Sequence, residues 1–244
     1  MHRRAVNLLL VAGCLGLALS PSRSARGDAA VPALTSLLDR ASVHAARFEE
    51  MRKRGSYTLA GHMDELSSTG AVSANKDMVV RVTATGDDTP LVDVVRYTEN
   101  GADKTLDAQQ KALARRAKKK RARANDFHLP FLAAQRSRYV FTRAERDAST
   151  KAVRVTFTPK EPALDAIKGS AWLDEASGEV LSMGFSFSKN PRFVDHVDVK
   201  LVFGLTTPLG RAPSELTFDA EGGLLFVHKH FRGFAKITDA RVTR

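Results

Sequence analysis

From Leu181 onward the apolar residues fall on every second position. Leu181, Met183, Phe185 and Phe187 alternate with small or polar residues, and after a turn over 188–191 the alternation resumes at Val197, Val199, Leu201 and Phe203. A period of two predicts strands with one apolar and one polar face. Upstream, Asp174-Glu175-Ala176-Ser177-Gly178 suits a tight turn, with Gly178 free to take the left-handed φ that closes it. The stretch 169–203 is therefore predicted to form three antiparallel strands that offer large apolar side chains to one side. Before it, Leu34, Leu37, Leu38, Ala41, Ala45 and Phe48 recur at three-and-four spacing, which predicts a helix over 31–53 that ends on Arg52-Lys53-Arg54-Gly55.

Strand-like segments at 56–66, 78–85 and 91–99 follow, the last closing on the turn pair Asn100-Gly101. A second set covers 138–144 and 152–158. Past the central stretch, 214–219 and 224–234 flank Ala220-Glu221-Gly222-Gly223, which reads as a hairpin turn, and 236–242 adds a last strand. Nine or ten strands with few helices predict a mainly β (α+β) chain, one large antiparallel curved sheet covered by the N-terminal helix.

The first residues change the picture of where this domain works. His2-Arg3-Arg4 precedes an apolar run over 5–19 that is too short to span a bilayer comfortably, and small polar residues follow, which is the form of a secretory signal. Cleavage after Ala25-Arg26-Gly27 would leave a single domain over 28–244. Val11-Ala12-Gly13-Cys14 alternatively reads as a lipobox, with Cys14 as a lipidated anchor. Either way the expected location is the periplasm, free or membrane-anchored. Cys14 is the only cysteine, so the domain must rest on its core without a disulfide.

The formal charge of +11 is local. Residues 104–123 hold nine bases and one acid, and the rest of the chain after 27 is nearly neutral. This basic helical insertion over 104–125 has good helix formers but only Leu106 and Leu113 as large apolar residues, a pattern of helices that bridge through solvent. Lys111, Arg115, Arg116, Lys118, Lys119, Lys120, Arg121 and Arg123 form either a solvated face or a contact with an anionic membrane surface or a protein. Export and the lack of interleaved aromatics argue against nucleic acid. No G-x-S-x-G, H-E-x-x-H or phosphate loop is present, so an enzyme is not expected, and neither is a cofactor. His228 and His230 share a strand face but lack an evident third ligand, so no metal is expected. An outer-membrane barrel would also show period-two strands, but one Trp and three Tyr are few for interfacial girdles.

A leading amphipathic helix, a long antiparallel meander, a helical insertion and the hairpin Gly169-Ser170-Ala171-Trp172-Leu173-Asp174-Glu175-Ala176-Ser177-Gly178-Glu179-Val180 together resemble the LolA-like superfamily of bacterial envelope proteins. The resemblance spans most of residues 30–244. It implies a half-open β-barrel whose apolar face is covered by helices and, in lipoprotein carriers, accepts acyl chains. On that reading Leu181, Met183, Phe185, Phe187, Leu201 and Phe203 line a lipid site, the partner is a lipid or an acylated protein, and the chain is a monomer. The plainer alternatives are that the first helix fills the space, and that the protein is an envelope sensor or scaffold whose basic insertion binds a protein.

Overall fold

The computed structural model describes residues 33–85, 90–117, 128–224 and 227–242. Helix α1 (Leu34–Arg54) leads directly into β1 (Gly55–Leu66), β2 (Val72–Thr83), β3 (Leu91–Glu99) and β4 (Ala102–Asp103). Helices α2 (Thr105–Ala117) and α3 (Ala133–Arg136) precede a run of β5 (Tyr139–Asp147), β6 (Ala152–Pro159), β7 (Ile167–Asp174), β8 (Val180–Phe187) and β9 (Val194–Val202). A short hairpin, β10 (Leu205–Thr207) with β11 (Gly210–Ala212), then leads to β12 (Glu215–Leu224) and β13 (Val227–Val242). Several expected boundaries move. Strand β2 starts six residues before position 78, the short hairpin was not foreseen, and the segments expected at 224–234 and 236–242 are one 16-residue strand.

Eleven strands form a single antiparallel sheet in the order β4-β3-β2-β1-β13-β12-β9-β8-β7-β6-β5. The last strand is inserted between β1 and β12, so the two halves of the chain meet in mid-sheet. Strands β4 and β5 are the two edges and do not pair with each other, so the curved sheet stays open rather than closing into a barrel.

Antiparallel partners share a face, so the register assigns every side chain. One face carries the row Val155, Ala171, Met183, Leu201, Leu216, Ala235, Gly61 and Met78 from β6 to β2. The neighbouring row on the other face reads Thr156, Ser170, Gly184, Lys200, Thr217, Phe234 and His62. The alternation seen in the sequence thus becomes an apolar face and a polar face that run across the whole sheet.

The core lies on the apolar face of β5–β9. There Leu37, Leu38, Ala41 and Ala45 of α1 pack with Phe131, Val153, Val155, Phe157, Ile167, Leu173 and Met183. The segment before α3 closes one side: Phe131 is fully buried and meets Phe157 edge-on at 5.8 Å. Tyr139 Oη accepts the buried N–H of Ile167 at 3.3 Å, which satisfies a backbone donor inside the core.

Candidate functional site

The six residues expected to line an acyl-chain site do not all meet the same surroundings. Met183, Phe185, Leu201 and Phe203 are buried in the core cluster, and Phe187 packs against it half-buried. Leu181 is half-buried outside that cluster, because a register shift between Trp172 and Leu173 pairs Leu173 with Val180 and turns Val180 inward instead. The Leu181 carbonyl accepts the Phe203 N–H at 2.9 Å. Phe203 itself meets Phe48 of α1 edge-on at 5.8 Å. Between α1 and the sheet the remaining space near Phe48, Val180 and Phe203 is about 20 Å³, enough for one water. Under α1 the apolar face is occupied by protein side chains.

Helix α1 is held there by the turn that joins β7 to β8. Arg40 donates to the Glu175 carbonyl at 3.0 Å, and the His44 ring lies 3.2 Å from the Ser177 carbonyl. Glu175 is buried at 8% exposure and accepts from Arg143 and Arg146, each at 2.8 Å. Burial pushes the Glu175 carboxyl up, but the two guanidinium hydrogen bonds and their charges outweigh it and hold its pKa below the ordinary value. Gly178 sits at φ +77, and a Cβ there would lie 2.6 Å from Arg40 Cβ and 2.8 Å from the Ala41 nitrogen. This glycine lets the helix backbone rest directly on the turn. At the far side, Arg136 of α3 donates to Asp39 of α1 at 2.5 Å.

The other half of the apolar face is different. The buried cluster and its half-buried fringe stop at Leu216 of β12. Beyond it the same face carries Leu59 opposite both Ile237 and Val80, Tyr57 opposite Val82, and Met78 opposite Tyr97, all of intermediate exposure. Val92, opposite Val82, is exposed at 42%. Among the described residues α2 is the helix that packs on β3, where Gln109 donates to the Val94 carbonyl at 2.8 Å. The sequence places these residues in segments expected to be strands. It did not show that they continue the same apolar face past the end of the core.

Of the basic insertion, Lys111 and Arg116 are exposed on α2, and Arg115 belongs to the same helix. Lys118, Lys119, Lys120, Arg121 and Arg123 lie outside the described residues. Leu106 and Leu113 of α2 point away from β3, exposed at 74% and 65%. His230 shares the polar face with Asp219, to which it is hydrogen-bonded at 2.9 Å. Among the described residues no group of three or more His, Cys, Asp or Glu is placed to hold a metal ion. Nor is any described helix long and apolar enough to cross a membrane.

No protein-family model matches the chain, and no curated protein is similar to it in sequence. Solved structures are similar to it in fold. A provisionally named outer membrane lipoprotein-sorting protein domain from Vibrio parahaemolyticus covers 84% of this chain with 92% of its own length, at 13% identity and a TM-score of 0.42. A DUF1329 family protein from Desulfovibrio piger covers 85% with 92% of its own length, at 10% identity and a TM-score of 0.41. A LolA superfamily protein from Nitrosomonas europaea covers 82% with 93% of its own length, at 8% identity and a TM-score of 0.36. The likeness is one of fold alone.

Proposed function

We propose that this is an exported, non-catalytic binding protein of the bacterial cell envelope that holds the acyl chains of a lipid or an acylated protein on the apolar face of its sheet. The observation that carries the reading is the unequal cover of that face: sealed by α1 over β5–β9, but only partly covered over β13, β1, β2 and β3, where Ala235 and Val94 are buried while Leu59, Met78, Val80 and Val82 are half-buried and Val92 is exposed. Each methylene moved from water onto such a surface gains about 0.8 kcal/mol, so ten would supply about 8 kcal/mol, a micromolar dissociation constant before ordering costs. The chain would first meet Leu59, Met78, Val80 and Val82. Loosening α1 from the turn over 174–178 would then extend the site to Met183, Phe185, Leu201 and Phe203. The leader-like residues 1–27 support export to the periplasm. The basic insertion, with Lys111 and Arg116 beside two exposed leucines, supports a bias toward anionic membrane.

Native mass spectrometry of the purified protein and titration with a fluorescent fatty acid test this. Co-purified lipid and saturable probe binding are expected, with binding at least tenfold weaker in Val80→Glu. Absence of both lipid and probe binding overturns the reading. A second reading is favoured by Leu106 and Leu113, exposed on one face of α2: the insertion docks a protein partner while the sheet stays dry. Charge reversal over 118–123 separates the two, since it would abolish partner capture but leave fatty-acid binding intact.

A further inference from the structure

The polar face of the sheet contains a trough of about 880 Å³ that crosses seven strands, from Arg154 and Thr156 on β6 to His62 and Asp64 on β1. Its width in the strand-pairing direction is six strand spacings, roughly 29 Å. The floor is made by small side chains on β8, Ser182, Gly184 and Ser186, and a Cβ built at Gly184 would meet no atom within 4 Å. Flat aromatic side chains stand along the trough: Trp172 on β7 and Phe234 on β13, the latter exposed at 51%.

The charges of this trough are not balanced in what they have left to offer. Its three aspartates are already engaged by histidines: Asp64 by His62 at 3.0 Å, Asp198 by His196 at 3.0 Å, and Asp219 by His230 at 2.9 Å. Asp198 also accepts from Ser186 at 2.7 Å. Lys168, Lys200 and Arg232 line the same trough, and none of them has an ion-pair or hydrogen-bond partner among the described residues. The register places them in a zigzag, with Lys168 and Arg232 four strand steps apart, about 19 Å, and Lys200 between them one row over. The trough therefore offers three unpartnered cationic donors, Lys168 and Arg232 at the ends of a row that holds Ser186 and the histidine-bound Asp198 and Asp219 between them, and Lys200 one row over beside Gly184.

An acyl chain would bury the hydroxyls of the floor without giving them partners, at a cost for each one. An extended peptide fits poorly for a related reason. The trough crosses the middle of the sheet, where backbone donors and acceptors are used in the ladders, so a peptide main chain would find no strand edge to pair with. A sugar chain offers ring faces to Trp172 and Phe234, hydroxyls to the floor, and acid groups to the three free cations.

We infer that this trough binds an extended anionic glycan, with Lys168, Lys200 and Arg232 pairing its acid groups and Trp172 stacking on a sugar ring. Trp172 is the only tryptophan in the chain, so its fluorescence reports on this site alone. Titrating the protein with hexagalacturonate and with a heparin-derived hexasaccharide should give a saturable change for at least one of them. Uronic and sulfated sugars are separated by which of the two binds more tightly. The double variant Lys200→Glu, Arg232→Glu should weaken that binding at least tenfold. Gly184→Leu should abolish it with an unchanged melting temperature, because the added side chain enters only the trough. Fatty-acid binding on the opposite face should be the same in all variants. A neutral dextran hexasaccharide and octaglutamate should leave the fluorescence unchanged. Silence with both acidic sugars, equal binding of octaglutamate or dextran, or wild-type binding in the double variant or in Gly184→Leu would overturn the inference.

Discussion

Replacing Gly178 by alanine tests how α1 is held. At φ +77 an L-residue pays roughly 1–2 kcal/mol for the left-handed conformation. The new methyl would also lie 2.6 Å from Arg40 Cβ and 2.8 Å from the Ala41 nitrogen, whereas carbon atoms rest at about 3.5–4.0 Å. Helix α1 must therefore retreat by roughly 1 Å, and a gap of that size forfeits a quarter to a half of each dispersion contact along its buried stripe. Leu37, Ala41 and Ala45 are at most 1% exposed, so the loss falls on tightly packed side chains. Together the two effects come to about 3 kcal/mol, or about 6–12 °C in melting temperature for a domain of this size. Asparagine tolerates the left-handed region better than alanine but carries the same Cβ. If contact with α1 is what matters, Gly178→Asn must be nearly as damaging as Gly178→Ala in urea and thermal melts. Two variants within 0.5 kcal/mol of the parent, or a neutral asparagine beside a damaging alanine, would show that α1 does not rest on this turn.

Three further outcomes follow from the same contacts. Leu37→Ala, at a fully buried position under the sheet, should cost about 2–5 kcal/mol in urea denaturation, and a cost under 1 kcal/mol would mean that α1 is not part of the core. Glu175 has a folded pKa below its ordinary 4.5, so its stabilising contribution is present above that value and is lost as pH falls through the folded pKa. Urea midpoints measured across the acid range should therefore drop less steeply in Glu175→Gln than in the parent, and parallel curves would refute the pairing with Arg143 and Arg146. His62 is raised above 6.5, chiefly by its hydrogen bond to Asp77, so its contribution is full below about 6.5 and is lost as pH rises through the folded pKa. Asp77→Asn should bring the His62 titration, followed by NMR, back toward the ordinary value, and an unmoved midpoint would refute that cause.

Much of this architecture was legible in the chain because period two and period 3.6 are local signals. The helix, the 174–178 turn and the strands from β5 to β9 fall where their spacing put them. What the spacing could not give was strand order. β13 is inserted between β1 and β12 through pairings such as Leu59 with Ile237, some 180 residues apart, and no local pattern announces that. Gly222-Gly223 looked like a turn, yet both glycines lie inside β12. Gly222 is opposite Val194 at a register shift, and a Cβ on it would come within 3.1 Å of Val194 Cα, so it marks close backbone approach rather than chain reversal. The same limit applies to the candidate site. A bulge of one residue exchanged Leu181 for Val180 on the inner face, and whether an apolar face meets a helix or stays half-open depends on the order in which strands assemble.

That half-open state has a simple geometric origin. Eleven strands at roughly 4.8 Å give a sheet nearly 50 Å wide, with strands of 8–16 residues through most of its breadth. A 21-residue helix is about 31 Å long and 10 Å across, so α1 can seal only a fraction of the face that the alternating pattern makes apolar. Closing the sheet into a barrel would hide the remainder, but β4 and β5 are left as separate edges. Adding apolar bulk from a second long helix would hide it as well, and α2 instead lies along β3 with its two leucines turned outward. Among the described residues α1 covers only part of that apolar surface, and the proposed acyl-chain binding rests on the part it leaves. On the polar face Lys168, Lys200 and Arg232 have no ion-pair or hydrogen-bond partner among the described residues, so ligands of opposite chemistry are proposed for the two sides of one sheet.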